Sequence, residues 1–231
     1  MSGTLHGLGL GPGDPELITI KSWRILSMAE VVAWPRGSSG RQMAREAAAH
    51  FIPDDVIELP LDIPFTASPG ELSAAYDAAA EKIAAHLDAG RDVAFICLGD
   101  PLFHASFVPL AERLSASHPV SAVPGVSAPF ACAAALGRPL AMGKGALKIV
   151  PALAPREKLA AELADETAST VFIKAGHRMA LLRELADRAG RMDDAFAVQN
   201  LGGDDERIIP LSQCPDDAPY FTTVVVFGER Q

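Results

Sequence analysis

Three glycine turns, each between an apolar strand-like run and a helical pattern, constrain the fold of this chain most. They lie at residues 7–15 (GLGLGPGDP), 98–101 (LGDP) and 123–128 (VPGVSA). Glycine lets the backbone approach a ligand closely, and the start of a helix presents free N–H groups. In open α/β sheets, ligands bind outside the carboxyl ends of the strands. The turns therefore predict an α/β fold with a ligand site at a sheet edge.

Each turn taken alone leaves a purely structural interpretation open. The first is also compatible with a tight strand-to-helix connection. It is neither a Walker loop, since no Gly-Lys-Ser/Thr follows, nor a dinucleotide fingerprint, since Trp34-Pro35 stands where an acidic residue is expected. Asp100 is able to accept a hydrogen bond from a ligand amine or ribose, or to cap a helix that begins at Leu102. Ser127 is equally suited to cap the helix that follows it.

Short apolar runs alternate with longer helical patterns through the first half of the chain. This alternation favours a mostly parallel five-stranded sheet covered on both faces. Strands are predicted at residues 4–10, 31–34 (stopped by Pro35), 56–59, 93–98 and 120–123, and helices at 15–28, 39–50, 71–89 and 102–116.

The second half has more strands than helices. Its last three strands follow one another through short links, which favours antiparallel pairing and a mixed sheet. We therefore predict two α/β domains, residues 1–116 and 120–231. In the second domain, strands are predicted at residues 146–150, 170–173, 195–198, 207–211 and 221–227, and helices at 155–164 and 179–189.

Composition excludes several functional classes. The chain has 231 residues, 49% hydrophobic and 21% charged, which is typical of a packed protein. Its net charge of -9 argues against a nucleic-acid partner, which would need a clustered basic surface. The three cysteines form no CxxC pair, so neither a disulfide framework nor a metal site is expected. No signal peptide or membrane-length apolar run is present, which predicts a cytoplasmic protein without a membrane partner.

In this order and spacing, the three turns resemble the hallmarks of the tetrapyrrole (corrin and porphyrin) methylases. The resemblance runs from Thr4 to Phe227 and includes the segment GPGDPELITIK at residues 11–21. VVAWP at residues 31–35, APYFT at 218–222 and Lys174 resemble the branch that methylates the C-20 meso carbon of precorrin-2. The chain departs from that branch at Leu98, where an acidic residue is usual, and at His104-Ala105, where a tyrosine–glycine pair is usual.

The resemblance implies a methyl transfer that uses S-adenosyl-L-methionine, releases S-adenosyl-L-homocysteine and belongs to cobalamin biosynthesis. It also implies a cofactor cleft between the two domains and a homodimer. Another ring-carbon or cobalt-substrate methylase, a methylase of rRNA or protein, and a non-catalytic tetrapyrrole-binding protein remain alternatives. The cofactor-binding positions that the resemblance implies are Pro12, Leu98, Gly99, Asp100, Phe103, Ser127, Ala128, Lys174, Ala175, Leu201 and Thr222.

A polycarboxylate tetrapyrrole needs cations near its site, because a protein of net charge -9 repels a polyanion at long range. Our candidates for substrate binding are Arg41 and Arg45, four residues apart on a predicted helix, together with Lys174 and His104. A solvated helix face is the alternative for the arginines, and a polar contact for the histidine. We predict no catalytic base, since positioning an activated sulfonium against an electron-rich carbon supplies much of the rate. The acidic run at residues 204–206 is expected to be a solvated loop.

Overall fold

The computed structural model describes residues 2–37, 42–64 and 68–229. Its backbone contacts divide the chain into two compact units, Met1–Ser127 and Ala128–Gln231. The boundary between the units lies after the strand Val120–Val123, whereas the sequence predicted a boundary before this strand. The reason is that this strand pairs with the first strand of the chain, Leu5–Gly9.

The first unit contains a five-stranded sheet in which every pairing is parallel. Its strands are β1 (Leu5–Gly9), β2 (Val31–Arg36), β3 (Ile57–Asp62), β4 (Val93–Cys97) and β5 (Val120–Val123), in the order β3-β2-β4-β1-β5. Its helices are α1 (Ile20–Leu26), α2 (Met43–Ala47), α3 (Pro69–Asp88) and α4 (Phe107–Leu114), with 3-10 turns at Pro15–Leu17 and Ala49–Phe51. The predicted parallel sheet is confirmed.

The two faces of this sheet lie in separate hydrophobic cores. Phe95 of β4 packs on one face with Ile83 of α3 and Phe107 of α4. Ile96, the next residue, enters the other core together with Leu26 of α1. Successive side chains of a strand point to opposite faces, so a strand that is apolar at every position is covered on both sides.

The second unit contains a mixed five-stranded sheet. Its strands are β6 (Ala146–Pro151), β7 (Ala168–Ile173), β8 (Ala195–Gln199), β9 (Arg207–Pro210) and β10 (Thr222–Val226), in the order β6-β7-β10-β8-β9. Only β6 and β7 pair in parallel, so the predicted antiparallel arrangement of the last three strands is confirmed. Its helices are α5 (Ala128–Leu136), α6 (Arg156–Leu163) and α7 (Met179–Arg188), with 3-10 turns at Gly176–Arg178, Met192–Asp194 and Leu211–Gln213.

The helix predicted at residues 102–116 begins only at Phe107, so the prediction was wrong at its start. The Asp100 side chain accepts the N–H of Leu102 and closes a turn there. His104 then has a φ of 52°, which an α-helix does not allow. His104 therefore lies in a loop, as does Phe103, which a helix over residues 102–116 would have placed on one face with Phe107, four residues later.

Two other predicted boundaries were also wrong. β2 continues through Pro35 to Arg36, because its pairing with β4 ends at Ala33 and the proline nitrogen interrupts no hydrogen-bonded ladder on that side. The helix predicted at residues 15–28 is divided, because the Thr19 side chain accepts the N–H of Ser22 and starts a new helix there. Arg41, predicted in the helix 39–50, lies outside the described residues.

No described helix is long and apolar enough to cross a membrane. Within residues 2–37, 42–64 and 68–229, no group of three or more His, Cys, Asp or Glu side chains is placed to hold a metal ion.

Candidate functional site: two edges of strand ends

Three strand ends of the first unit meet backbone to backbone through glycines. A Cβ added to Gly9 would stand 2.5 Å from the nitrogen of Gly125, and one added to Gly125 would stand 2.1 Å from the carbonyl oxygen of Gly99. Gly11 and Gly99 also exchange two backbone hydrogen bonds, with N···O distances of 3.4 and 2.6 Å. Side chains do not fit at Gly9 and Gly125. The three predicted turns therefore form one edge at the carboxyl ends of β4, β1 and β5.

The Asp100 carboxylate joins two of these turns. Its Oδ1 accepts the N–H of Leu102 at 2.8 Å, and its Oδ2 accepts the N–H of Gly125 at 3.2 Å. The residue therefore caps a turn rather than a helix, and it also holds the third glycine turn against the second. This second contact connects positions 25 residues apart, which helix-capping rules do not predict.

The same edge leaves room beside its backbone. Gly99 has a φ of 71°, and a Cβ there would meet nothing within 4 Å. Phe103 is half-buried, and its ring contacts that of His104 edge to face at a centroid distance of 4.9 Å. Pro12 is buried in the turn that follows β1. A ligand is thus able to approach backbone atoms at Gly99 without displacing a side chain.

The buried thiols of Cys97 in the first unit and Cys132 in the second unit are not nucleophiles. Burial, with a smaller contribution from the charge of Asp100, raises the pKa of the Cys97 thiol to about 12. Burial likewise raises the pKa of Cys132 in the second unit to about 12. Because the thiolate is the reactive form, both side chains stay neutral and inert at physiological pH.

Strand ends of the second unit form another edge. β10 lies between β7 and β8 and runs antiparallel to both, so its start lies beside their ends. The N–H of Ala175 donates to the carbonyl oxygen of Thr222 at 2.9 Å, and the N–H of Asn200 to that of Phe221 at 3.0 Å. This edge collects the second-unit residues predicted from the resemblance, Lys174, Ala175, Leu201 and Thr222, whereas Ala128 lies at the start of α5.

Lys174 is a half-buried cation at this edge. Burial alone lowers the pKa of its ammonium group. None of the ion pairs among the described residues of the second unit includes it. Its φ is 56°, a conformation that is uncommon for a residue with a side chain. The ammonium group is therefore available to an anionic ligand.

Arg45 already has partners in the first unit. Its Nη2 lies 2.7 Å from Oε1 of Glu58, and its guanidinium lies over the Trp34 ring, 6.0 Å from the centroid. The structure thus gives its charge a role within the fold. Arg41 falls outside the described residues, so its predicted role with substrate stays a prediction.

Sequence reasoning missed Asn200. The residue is buried, follows β8 directly and has a φ of 48°. Its Nδ2 donates to Oδ2 of Asp205 at 2.8 Å, while Oε2 of Glu206 accepts the N–H of Gly202 at 2.7 Å. The acidic run is exposed, as expected, but two of its carboxylates also hold the loop in place. The available signal was an asparagine followed closely by two glycines after a strand, a pattern typical of a structured turn.

The chain matches the model of a known protein family over most of its length. The family model of tetrapyrrole (corrin/porphyrin) methylases matches residues 4–213. The chain belongs to this family. The resemblance inferred from the three glycine turns is thereby confirmed.

Two relatives are similar to nearly the whole of this chain. The precorrin-2 C(20)-methyltransferase of Sinorhizobium sp is 37% identical over 237 residues, which cover 98% of this chain and 96% of that protein. The cobalamin biosynthesis protein CobIJ of Mycobacterium tuberculosis (strain ATCC 25618/H37Rv) is also 37% identical, over 99% of this chain and 47% of that protein. The chain thus spans about half the length of the mycobacterial relative.

A solved tetrapyrrole methylase shows the same fold. The uroporphyrin-III C-methyl transferase of Thermus thermophilus, in a structure with S-adenyl homocysteine, superposes with a TM-score of 0.72 at 21% identity, over 98% of each chain. At that identity the likeness establishes the fold alone.

We expect Asp100→Ala to destabilise the first unit. The change removes two hydrogen bonds from a carboxylate to backbone N–H groups and should lower the free energy of unfolding by about 1–2 kcal/mol. Urea denaturation, with an unchanged slope, measures it. Asp14→Ala is the matched control and should cost less, since among the described residues its side chain accepts only the N–H of Glu16. Equal midpoints for Asp100→Ala and the parent would contradict the bridging role.

Proposed function

We propose that the chain transfers a methyl group from S-adenosyl-L-methionine to the C-20 meso carbon of precorrin-2, in the biosynthesis of the corrin ring of cobalamin. The proposal rests on the similarity, over nearly the full length of both chains, to the precorrin-2 C(20)-methyltransferase of Sinorhizobium sp. The match to the tetrapyrrole methylase family supports it. The three cysteines are free and buried, which fits a reducing compartment, so we place the reaction in the cytoplasm.

The residues of the first edge fit this cofactor. Open space beside Gly99 and a row of turns made of backbone suit a ligand held mainly by main-chain atoms. The proposed first-unit contacts are Pro12, Leu98, Gly99, Asp100, Phe103 and Ser127. The proposed second-unit contacts are Ala128, Lys174, Ala175, Leu201 and Thr222.

The protein's part in the reaction is to position the ligand and to offer no competing nucleophile for the methyl group. When bound, the cofactor supplies a methyl group already activated on a sulfonium. The Asp100 carboxylate keeps the glycine turns in register, so the ligand meets a preformed surface and orientation supplies rate. The neutral Cys97 thiol offers no competing nucleophile for the methyl group.

Methyl transfer can be tested directly. Incubation with precorrin-2 and cofactor carrying a labelled methyl group should place the label at C-20, as read by NMR of the isolated product. A parallel incubation with cobalt-precorrin-2 tests the cobalt-containing substrate. Label at another ring carbon would assign the chain to a different branch of the family. Tight tetrapyrrole binding without any methyl transfer would indicate a non-catalytic tetrapyrrole-binding protein.

Lys174 is proposed to bind a carboxylate of the tetrapyrrole. Loss of a charge-assisted hydrogen bond from a partly desolvated site should raise the KM for tetrapyrrole about tenfold in Lys174→Met. The affinity for S-adenosylhomocysteine should change little, because backbone atoms make the proposed cofactor contact at this position. Steady-state kinetics and calorimetry separate the two effects.

Lys148→Met is the matched control, because Lys148 of β6 is paired with Glu162 and Asp165. It should leave the tetrapyrrole KM unchanged. Arg45→Ala should have a smaller effect than Lys174→Met, since its charge is paired with Glu58. An unchanged KM in Lys174→Met would remove the lysine from the substrate site.

We further propose that the protein is a homodimer, as the family resemblance implies. The first unit exposes apolar side chains along α1 and just after it, with Ile20 81%, Trp23 46% and Met28 70% exposed. Exposed apolar side chains that lie close together are typical of contact surfaces. Light scattering should give twice the chain mass of 24.3 kDa, and the mass of a single chain would contradict the proposal.

A further inference from the structure

Exposed apolar side chains lie on both sides of Lys174 at the edge of the second sheet. Leu153 follows β6 and is 67% exposed, while Tyr220 and Phe221 precede β10 and are 39% and 40% exposed. β6 and β7 end at this edge and β10 starts there, in the strand order β6-β7-β10. Lys174 follows β7 and therefore lies between the leucine and the aromatic pair. Apolar side chains exposed together are typical of contact surfaces.

Two backbone hydrogen bonds join Lys174 to both apolar segments. The preceding residue, Ile173, accepts the N–H of Ala152 at 2.9 Å, and the N–H of the following residue, Ala175, donates to the carbonyl oxygen of Thr222, also at 2.9 Å. Ala152 directly precedes the exposed leucine, and Thr222 directly follows the exposed aromatic pair. Each apolar segment is thus bonded to a direct neighbour of the lysine.

The turn that carries Leu153 is held by Arg178. The Nε of Arg178 donates to the carbonyl oxygen of Ala152 at 3.2 Å, and its Nη2 donates to that of Ala154 at 3.4 Å. The N–H of Ala154 also donates to the carbonyl oxygen of Pro151 at 3.0 Å. Both neighbours of the leucine are therefore bonded to one guanidinium group, so the backbone is fixed while most of the leucine side chain is exposed to solvent.

The aromatic pair is held in a similar way. Ala218 and Thr222, which stand on either side of it in the chain, are buried. Oγ1 of Thr222 donates to the carbonyl oxygen of Pro219 at 2.6 Å and closes the segment. The rings of Tyr220 and Phe221 contact each other edge to face, with their centroids 5.0 Å apart. A ligand therefore meets a preformed aromatic surface that needs little ordering when it binds.

We propose that Leu153, Tyr220 and Phe221 contact the apolar ring of the tetrapyrrole, on either side of the carboxylate that Lys174 binds. The inference rests on the proposed function and extends its substrate site. A ligand that reaches both apolar segments has to span two strand spacings, about 10 Å. It also needs a negative charge between its apolar contacts. A tetrapyrrole combines a broad ring with several carboxylates, whereas S-adenosylmethionine has one carboxylate, at one end and beside a positive ammonium group.

Binding of precorrin-2 in the absence of cofactor tests the proposal. Leu153→Ala and Phe221→Ala should each raise the Kd about tenfold, because each removes most of an apolar side chain from the contact. Phe221→Tyr keeps the ring and should retain most of the affinity. Anaerobic titration, followed by the absorption of precorrin-2, measures the Kd, and thermal unfolding checks that each variant is folded.

Met142→Ala is the matched control. Met142 is also 67% exposed, but it precedes β6 and so lies at the opposite end of the second sheet. The control should bind precorrin-2 as the parent does. A loss equal to that of Leu153→Ala would show that exposed apolar side chains act without regard to position and would overturn the proposal.

The cofactor is separated from the substrate by a second measurement. Leu153→Ala and Phe221→Ala should raise the KM for precorrin-2 by a factor similar to that in the Kd, and calorimetry should give an unchanged Kd for S-adenosylhomocysteine. Weaker binding of S-adenosylhomocysteine, with precorrin-2 bound as in the parent, would assign these side chains to the cofactor and overturn the proposal.

Failure of this inference is distinguishable from failure of the proposed function. If the parent methylates precorrin-2 and both alanine variants bind it as tightly as the parent, the apolar contacts alone are wrong. If the parent binds precorrin-2 without methyl transfer, the proposed function fails, and the variants still decide whether these side chains hold the ring. If the parent binds no precorrin-2, both fail.

Discussion

The contact among Gly9, Gly99 and Gly125 is the constraint on which the first unit depends. At distances of 2.1–2.5 Å from neighbouring backbone atoms, a Cβ has no place at Gly9 or Gly125. The carboxyl ends of β4, β1 and β5 are thereby able to lie side by side at one edge of the sheet. The Asp100 carboxylate keeps two of the turns that follow these strands together. A preformed surface of backbone atoms results, and such a surface costs a ligand little ordering when it binds.

The two edges differ in chemistry. The first is built of backbone and glycine, while the second contains the half-buried amine of Lys174 and the buried amide of Asn200, two residues in left-handed conformations. Because a side chain fits at neither Gly9 nor Gly125, the first edge tolerates no sequence change at these two positions.

The sequence predicted the parallel sheet, the mixed sheet and the convergence of the three turns, because these follow from strand alternation and glycine position. It failed where a side chain redirects the backbone. Phe103 and Phe107 have helical spacing, yet the turn closed by Asp100 and the left-handed His104 postpone the helix. The contact between Asp100 and Gly125 depends on tertiary neighbours that no local pattern contains.

The strand order of the first unit has a consequence for synthesis on the ribosome. β1 lies between β4 and β5, so it has no strand partner until residues 93–97 have been made. At about 5–20 residues per second, it waits on the order of ten seconds as an unpaired segment. Two of its five residues are glycine, and glycine lowers the tendency of an exposed strand to pair with other chains. Gly9, which shapes the finished edge, thus also helps to protect the nascent chain before the edge exists.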